Sequence, residues 1–159
     1  MENRNAYARK NDLRYTAKDI TLVVNMVKEL EKSIDMMFYF MNKSSENVFV
    51  LMLISANNIE LKKLLEKEKR DTDILFEVDK DESIYAMICQ ETKVDGGYRF
   101  AERIIHNINL YKGENIYCSE LEVRTTKYSS QDIIFRVVDT FIKARQEEKS
   151  GEIIFKSIY

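Results

Sequence analysis

Residues 70–89 read RDTDILFEVDKDESIYAMIC. Two short runs within them, Ile74–Val78 and Ile84–Cys89, are rich in Ile, Val and aromatic side chains, and the stretch between them, Asp79-Lys80-Asp81-Glu82-Ser83, is wholly polar. Two strand-like runs joined by so short a polar connection predict a β-hairpin. Upstream, Val48-Phe49-Val50-Leu51-Met52-Leu53-Ile54 is an unbroken apolar run. Such a run suits a strand covered on both faces and is expected at the centre of a sheet. Between it and the hairpin, IELKKLLEKEK at 59–69 predicts a short helix with Ile59, Leu61, Leu64 and Leu65 inward and the charged residues outward.

Downstream, Gly96-Gly97 is expected to open a helix over 98–111, with Phe100, Ala101, Ile104, Ile105 and Ile108 on one face and Gly113 as the stop. Residues 115–126 are strand-like. Ser129 and Asp132 stand in capping-box spacing before Ile133, Ile134, Val137, Val138, Phe141 and Ile142, which predicts a further helix from Ser130. Ile153-Ile154-Phe155 forms a last short strand. Towards the N-terminus, residues 1–18 are polar and read as a lead-in. From Ile20 the residues Val23, Val27, Leu30, Ile34, Met37 and Met41 recur in alternating steps of three and four, which predicts one long helix over 19–42. Its apolar face has two readings: a seam for a second copy, giving a homodimer through residues 20–41, or a face packed on the chain's own domain. Residues 47–159 make up that domain. The element order, α-βα-ββ-α-β-α-β, is that of an α+β sheet layer covered by helices.

Composition narrows the function classes. The chain has 159 residues, 45% hydrophobic and 33% charged, with no Pro and four Gly, which suits one globular domain with an appendage. It holds no apolar run of about 18 residues and no basic-then-apolar leader, so a cytoplasmic location without a membrane segment is expected, whether alone or as the cytosolic part of a longer membrane protein. Cys89 and Cys118 lack CxxC spacing and His106 is the single His, so no metal site is expected. With 25 Lys and Arg against 27 Asp and Glu, a net charge of −2 gives no general attraction to nucleic acid. An anionic ligand must be held by a local site.

Arg70 to Ser83 lies without a gap on the pattern RxxDxxxRxGGDEF. Arg70 and Asp73 fall on RxxD, and Asp81 and Glu82 on the DE of GGDEF. Ala101-Glu102-Arg103-Ile104 is similar to the AERI segment of the helix after that hairpin, and Val138-Asp139 with Lys143-Ala144-Arg145 to the closing helix. On these residues the chain, over roughly residues 47–157, resembles the GGDEF domains of diguanylate cyclases. The resemblance implies a central, mostly antiparallel sheet flanked by helices, the nucleotidyl cyclase palm.

The departures concern chemistry. Joining two GTP molecules requires divalent metal on the phosphates and a backbone that approaches the triphosphate closely. The glycines of the pattern are replaced by Asp79 and Lys80 and its Phe by Ser83. The metal carboxylates that the resemblance would put at the end of the first strand fall near Ser55 and Asn57. The single short helix before the hairpin also leaves no room for the family's nucleotide-binding insert. Catalysis is therefore expected to be lost, and no cofactor is expected. What the resemblance retains is a product-binding site, with Arg70, Asp73 and Arg103 as ligands for cyclic di-GMP and Arg99, one turn before Arg103, as a further contact. Arginine forks can bridge phosphate oxygens or a guanine edge, and a carboxylate can accept from guanine N1–H and N2–H₂. Cys89 reads as a small buried residue and His106 as a surface or core-edge one. Asn3-Arg4-Asn5-Ala6-Tyr7 resembles the NRxxF/Y opening of such domains. The expected function is a non-catalytic cyclic di-GMP receptor, similar to PelD-like regulators of exopolysaccharide synthesis, acting on a protein partner in a synthase complex. The alternative is a dimerisation or structural signalling module whose ligand site is vestigial.

Overall fold

The computed structural model describes residues 15–43 and 48–159. The elements are α1 (Ala17–Lys43), β1 (Phe49–Asn57), α2 (Leu61–Glu68), β2 (Ile74–Asp79), β3 (Ile84–Gln90), α3 (Val94–Leu110), β4 (Glu114–Val123), α4 (Ser130–Gln146) and β5 (Ile153–Ile158). The strands form one sheet in the order β2-β3-β1-β4-β5. All pairings are antiparallel except β4 with β5, which is parallel. The lead-in over 1–14, including Asn3 to Tyr7, lies outside the described residues.

The apolar run of β1 is central, as its composition requires: every residue from Phe49 to Ala56 is buried. Its alternate side chains feed two cores. Phe49, Leu51 and Leu53 face α1 and α4, joining Leu30, Ile34, Ile133, Val137 and Phe141. Val50, Met52 and Ile54 face α2 and α3, joining Leu65, Phe100, Ala101, Ile104 and Ile108.

One open alternative is decided and two expectations are corrected. The long helix turns Leu22, Met26, Leu30, Ile34 and Met37 into its own core, with Val23, Val27 and Met41 partly buried alongside, while Ile20 is exposed. Of the two readings of this face, packing on the chain's own domain is the one seen for Leu30, Ile34 and Met37. Its docking is also polar. Asp19 pairs with Arg145 of α4 at 3.0 Å, the Tyr15 hydroxyl donates to Asp139, and Asn25 Nδ2 donates to the Val78 carbonyl of the hairpin at 3.4 Å.

Second, α3 begins at Val94 rather than at 98, so Gly96 and Gly97 lie in its first turn. The reason is tertiary. The first residue of the helix donates its amide to the Glu122 carboxylate of β4 at 2.7 Å, and no side chain at the adjoining Lys93 caps it. Gly97 is where the helix touches the sheet: a Cβ there would lie 3.0 Å from Phe155 and 3.2 Å from Glu120 Oε2. Third, Lys112 takes the left-handed conformation after α3 (φ 63°), and Gly113 is required by space, since a Cβ would sit 2.4 Å from Ile108 Cγ2. The Ser129 cap forms as its spacing predicts, with Oγ accepting from the Asp132 amide at 3.1 Å.

Candidate functional site

The Arg70–Asp73 segment is a tight turn at the start of the hairpin. The Asp73 amide donates to the Arg70 carbonyl at 3.0 Å, and the Arg70 amide donates to Asp73 Oδ2 at 2.8 Å. The same two residues are joined by their side chains: Arg70 Nε and Nη2 donate to Asp73 Oδ1 at 3.1 and 2.8 Å. A spacing of three is what allows backbone and side chain to close on each other in one turn. Arg70 Nη2 also donates to the Gln90 carbonyl and to Thr92 Oγ1, at 2.8 and 2.7 Å, tying the turn to the far end of β3. Gln90 Nε2 returns a bond to the Thr72 carbonyl at 2.7 Å. The Asp73 hydrogen bond holds the Arg70 pKa above its ordinary value.

Helix α3 supplies the opposite wall. Gly96, Arg99, Phe100 and Arg103 share a face and, with Arg70, Asp73, Cys89 and Thr92, line a cavity of about 150 Å³. All the residues predicted for the site are therefore brought together. Asp73 is 4% exposed with both oxygens engaged by Arg70, so in this conformation it positions that arginine. Arg99 carries no hydrogen bond or ion pair among the described residues. Arg103 stacks over the Phe100 ring at 5.2 Å and is paired with Glu68 at the end of α2. Burial pushes the Cys89 thiol pKa far up, so it is a neutral floor to the cavity. A second hollow of about 440 Å³ adjoins at Asp73, bounded by Lys62, Lys69, Leu75 and Tyr85. The smaller cavity has room for a phosphate and part of a base, and a larger ligand has the adjoining hollow to extend into.

At the other end of the hairpin the structure offers a different surface. Ser55 is in register with Ile84, which puts the end of β1 beside the Asp79–Ser83 turn. There Asp79 Oδ1 accepts from the Glu82 amide at 3.0 Å and Ser83 takes a left-handed φ of 54°, a turn closed on its own side chains. Among the described residues, no group of three or more His, Cys, Asp and Glu could hold a metal ion. His106 is exposed on α3. No helix among the described residues is long and apolar enough to cross a membrane.

Thr92, Gln90 and Glu68 belong to the site and were not singled out from the sequence. Two further acids on β4 face α3. Burial would raise Glu122, but hydrogen bonds from Arg124, the Val94 amide and Ser157 hold its pKa below the ordinary carboxylate value. Glu120 is 1% exposed, neither oxygen has a hydrogen-bond partner among the described residues, and burial pushes its pKa up to about 9.

No family model matches the chain, and no curated protein matches it. Solved structures do. The GGDEF domain of DgcB from Caulobacter crescentus, in complex with c-di-GMP, superposes with a TM-score of 0.59 at 8% identity, over 79% of this chain and 89% of that one. The active GGEEF domain of a diguanylate cyclase from Vibrio cholerae gives 0.62 at 14% identity, over 79% and 93%. The diguanylate cyclase SiaD from Pseudomonas aeruginosa, in complex with its activator SiaC, gives 0.64 at 10%, over 79% of this chain and 56% of that one. At such identities the likeness establishes the fold: a long helix followed by the mostly antiparallel sheet and flanking helices of GGDEF domains.

Proposed function

We propose that this GGDEF-fold chain is a non-catalytic receptor for cyclic di-GMP, which it binds through Arg70, Arg99 and Arg103 with Asp73 holding Arg70 in place. The observation that carries the reading is the convergence of three guanidinium groups from two separate elements on one cavity, on a fold whose solved examples include one bound to c-di-GMP. A cyclic dinucleotide presents two phosphates and two guanines. Planar guanidinium groups can fork onto phosphate oxygens or guanine O6/N7 and also stack on a base. Among the described residues Arg99 has no partner to give up.

Catalytic silence is the second part of the proposal. It is supported by Asp79 and Lys80, which place side chains and a negative charge where a polyphosphate would approach, and by Ser55 and Asn57, which cannot supply metal carboxylates. The receptor then passes its occupancy to a protein partner, for which a polysaccharide synthase complex is the candidate suggested by the resemblance to PelD-like regulators. Exposed Ile20, Val24, Met36 and Tyr39 on α1 favour a second reading, a structural module that associates through this outer face and whose ligand site is vestigial.

Titration calorimetry with cyclic di-GMP, GTP and cyclic di-AMP separates the two. The receptor reading expects binding of cyclic di-GMP alone, and a loss of roughly 30- to 1000-fold for Arg70→Ala, the worth of a charge-assisted fork of about 2–4 kcal/mol. Absence of binding at about 100 µM (about −5.5 kcal/mol) leaves the structural module. Incubation with GTP and Mg²⁺ or Mn²⁺ is expected to yield no cyclic di-GMP, and turnover abolished by Glu82→Ala would contradict that.

A further inference from the structure

Glu68 ends α2 and faces Arg103 across the gap to α3. Its Oε2 accepts from Arg103 Nε at 3.0 Å, its main-chain carbonyl accepts from Arg103 Nη2 at 3.3 Å, and its Oε1 accepts from Asn107 Nδ2 at 3.1 Å. Asn107 stands one turn beyond Arg103 on α3, so both residues of that helix grip the same carboxylate. The Nε–Nη2 edge of Arg103, one of the two edges with which a guanidinium can fork onto an oxyanion, is thus occupied by a group of the protein itself.

We propose that Glu68 is an intramolecular competitor for the anion site, a latch that a dianionic ligand displaces from Arg103. The inference rests on the receptor reading above. Charge is the first reason. The cavity gathers Arg70, Arg99 and Arg103, but Asp73 neutralises Arg70 and Glu68 neutralises Arg103, which leaves Arg99 as the one cation of the three uncompensated among the described residues, for a ligand with two phosphates. The second reason is that the two pairs differ in how they are held. Arg70 and Asp73 are locked by side chain and main chain within a single turn, and Asp73 is buried. Arg103 and Glu68 are 35 residues apart on two helices; the two arginines are equally open to solvent, and the difference lies in the carboxylates, the Glu68 side chain being 19% exposed against 1% for Asp73. With its cation half exposed, this pair is partly screened by solvent and is the weaker of the two, so it is the one a second oxyanion can displace. Phosphate oxygens arriving beside Arg99 place negative charge next to Glu68, and the transfer of Arg103 from carboxylate to phosphate relieves that repulsion. The transfer also frees the end of α2 and Asn107, so occupancy reaches the segment that joins α2 to the Arg70 turn.

The test is titration of the wild type, Glu68→Gln, Arg103→Ala and the double variant with cyclic di-GMP. Glu68→Gln keeps the size and one of the two acceptor oxygens but removes the charge, and it should bind roughly tenfold tighter than wild type, the equivalent of one charge-assisted contact regained. In the Arg103→Ala background the same substitution should change nothing, since there is no cation left to release. Binding by wild type with Glu68→Gln equal or weaker overturns the latch alone and makes Glu68 a residue that holds Arg103 in place. A gain that persists without Arg103 also overturns it, because it then reflects general repulsion. No binding by wild type or by Glu68→Gln overturns the receptor reading and the latch with it.

Discussion

Glu120 is buried on the sheet face under Gly97 with both oxygens unpaired among the described residues, and burial there favours the protonated carboxyl. Its folded pKa of about 9 lies above the ordinary 4.5. Below pH 4.5 folded and unfolded states both carry the proton and no linkage arises. Between pH 4.5 and 9 the folded state holds a proton the unfolded state has lost, so stability falls as pH rises, by up to about 1.4 kcal/mol per unit, and levels off above the folded pKa. Replacing Glu120 by Met, of similar volume and without polar atoms, is expected to stabilise the protein by about 3 kcal/mol at pH 7, with the gap widening from pH 5 to pH 9. Denaturant unfolding of both proteins across that range checks it, and a gap that stays constant or narrows would show that Glu120 is not the titrating group. The sequence gives no hint of this residue. Cys118-Ser119-Glu120-Leu121-Glu122-Val123 alternates like a strand with one wet face, and it is α3, folded over that face, that makes the glutamates internal. The arginines were legible because their relation is local: Arg70 and Asp73 share a turn, Arg99 and Arg103 a helical face. Glu68 and Thr92 were not, since their partners lie 35 and 22 residues away.

At the scale of elements the same division holds. Types and order were readable wherever the period was unambiguous, as in the apolar run of β1, the hairpin, and the capped start of α4. The start of α3 was not, because glycines mark helix boundaries in sequence but here serve a close approach to the sheet, and the capping group comes from another strand. Glu122 thus acts as a cap supplied across the fold, its negative charge also favourable at the positive end of the helix. Since its folded pKa is below the ordinary 4.5, the stability it adds is present above that value and is lost as pH falls through the lower folded pKa. Glu122→Gln is expected to cost about 1–2 kcal/mol at pH 7, in line with caps and charge-assisted bonds, with the difference from wild type shrinking as pH is lowered from 5 to 3. Unfolding midpoints over that interval provide the measurement. A difference independent of pH would mean that the side chain matters through packing and not through its charge.

In the whole molecule, α1 completes the sheet. One sheet face is covered by α2 and α3, which hold the arginine cavity, and the other by α4 together with α1; without α1 the inner faces of Ile84, Ala86 and Ile88 would lose their cover. Heptad spacing could not reveal this, because a helix that packs on its own sheet and one that packs on a twin satisfy the same periodicity. Substitutions on the two sides of α1 therefore separate internal from intermolecular packing. Ile34 is 0% exposed, and Ile34→Asp forces an unpaired charge into the core beside Leu30 and Phe141. An uncompensated buried charge costs about 3–5 kcal/mol against a total stability on the order of 5–15 kcal/mol, so that variant should be largely unfolded or should melt far below wild type. Ile20 is 57% exposed, and Ile20→Asp should change the folding free energy by no more than about 0.5 kcal/mol. Circular dichroism reports the folding and sedimentation velocity the assembly state. A folded, monomeric Ile34→Asp protein would restore the intermolecular seam, whereas an unfolded one beside a folded Ile20→Asp establishes that α1 belongs to the domain it precedes. In that second case any self-association must use the outer surface, where Ile20, Val24, Met36 and Tyr39 are exposed, and Ile20→Asp would then weaken association while leaving the fold intact.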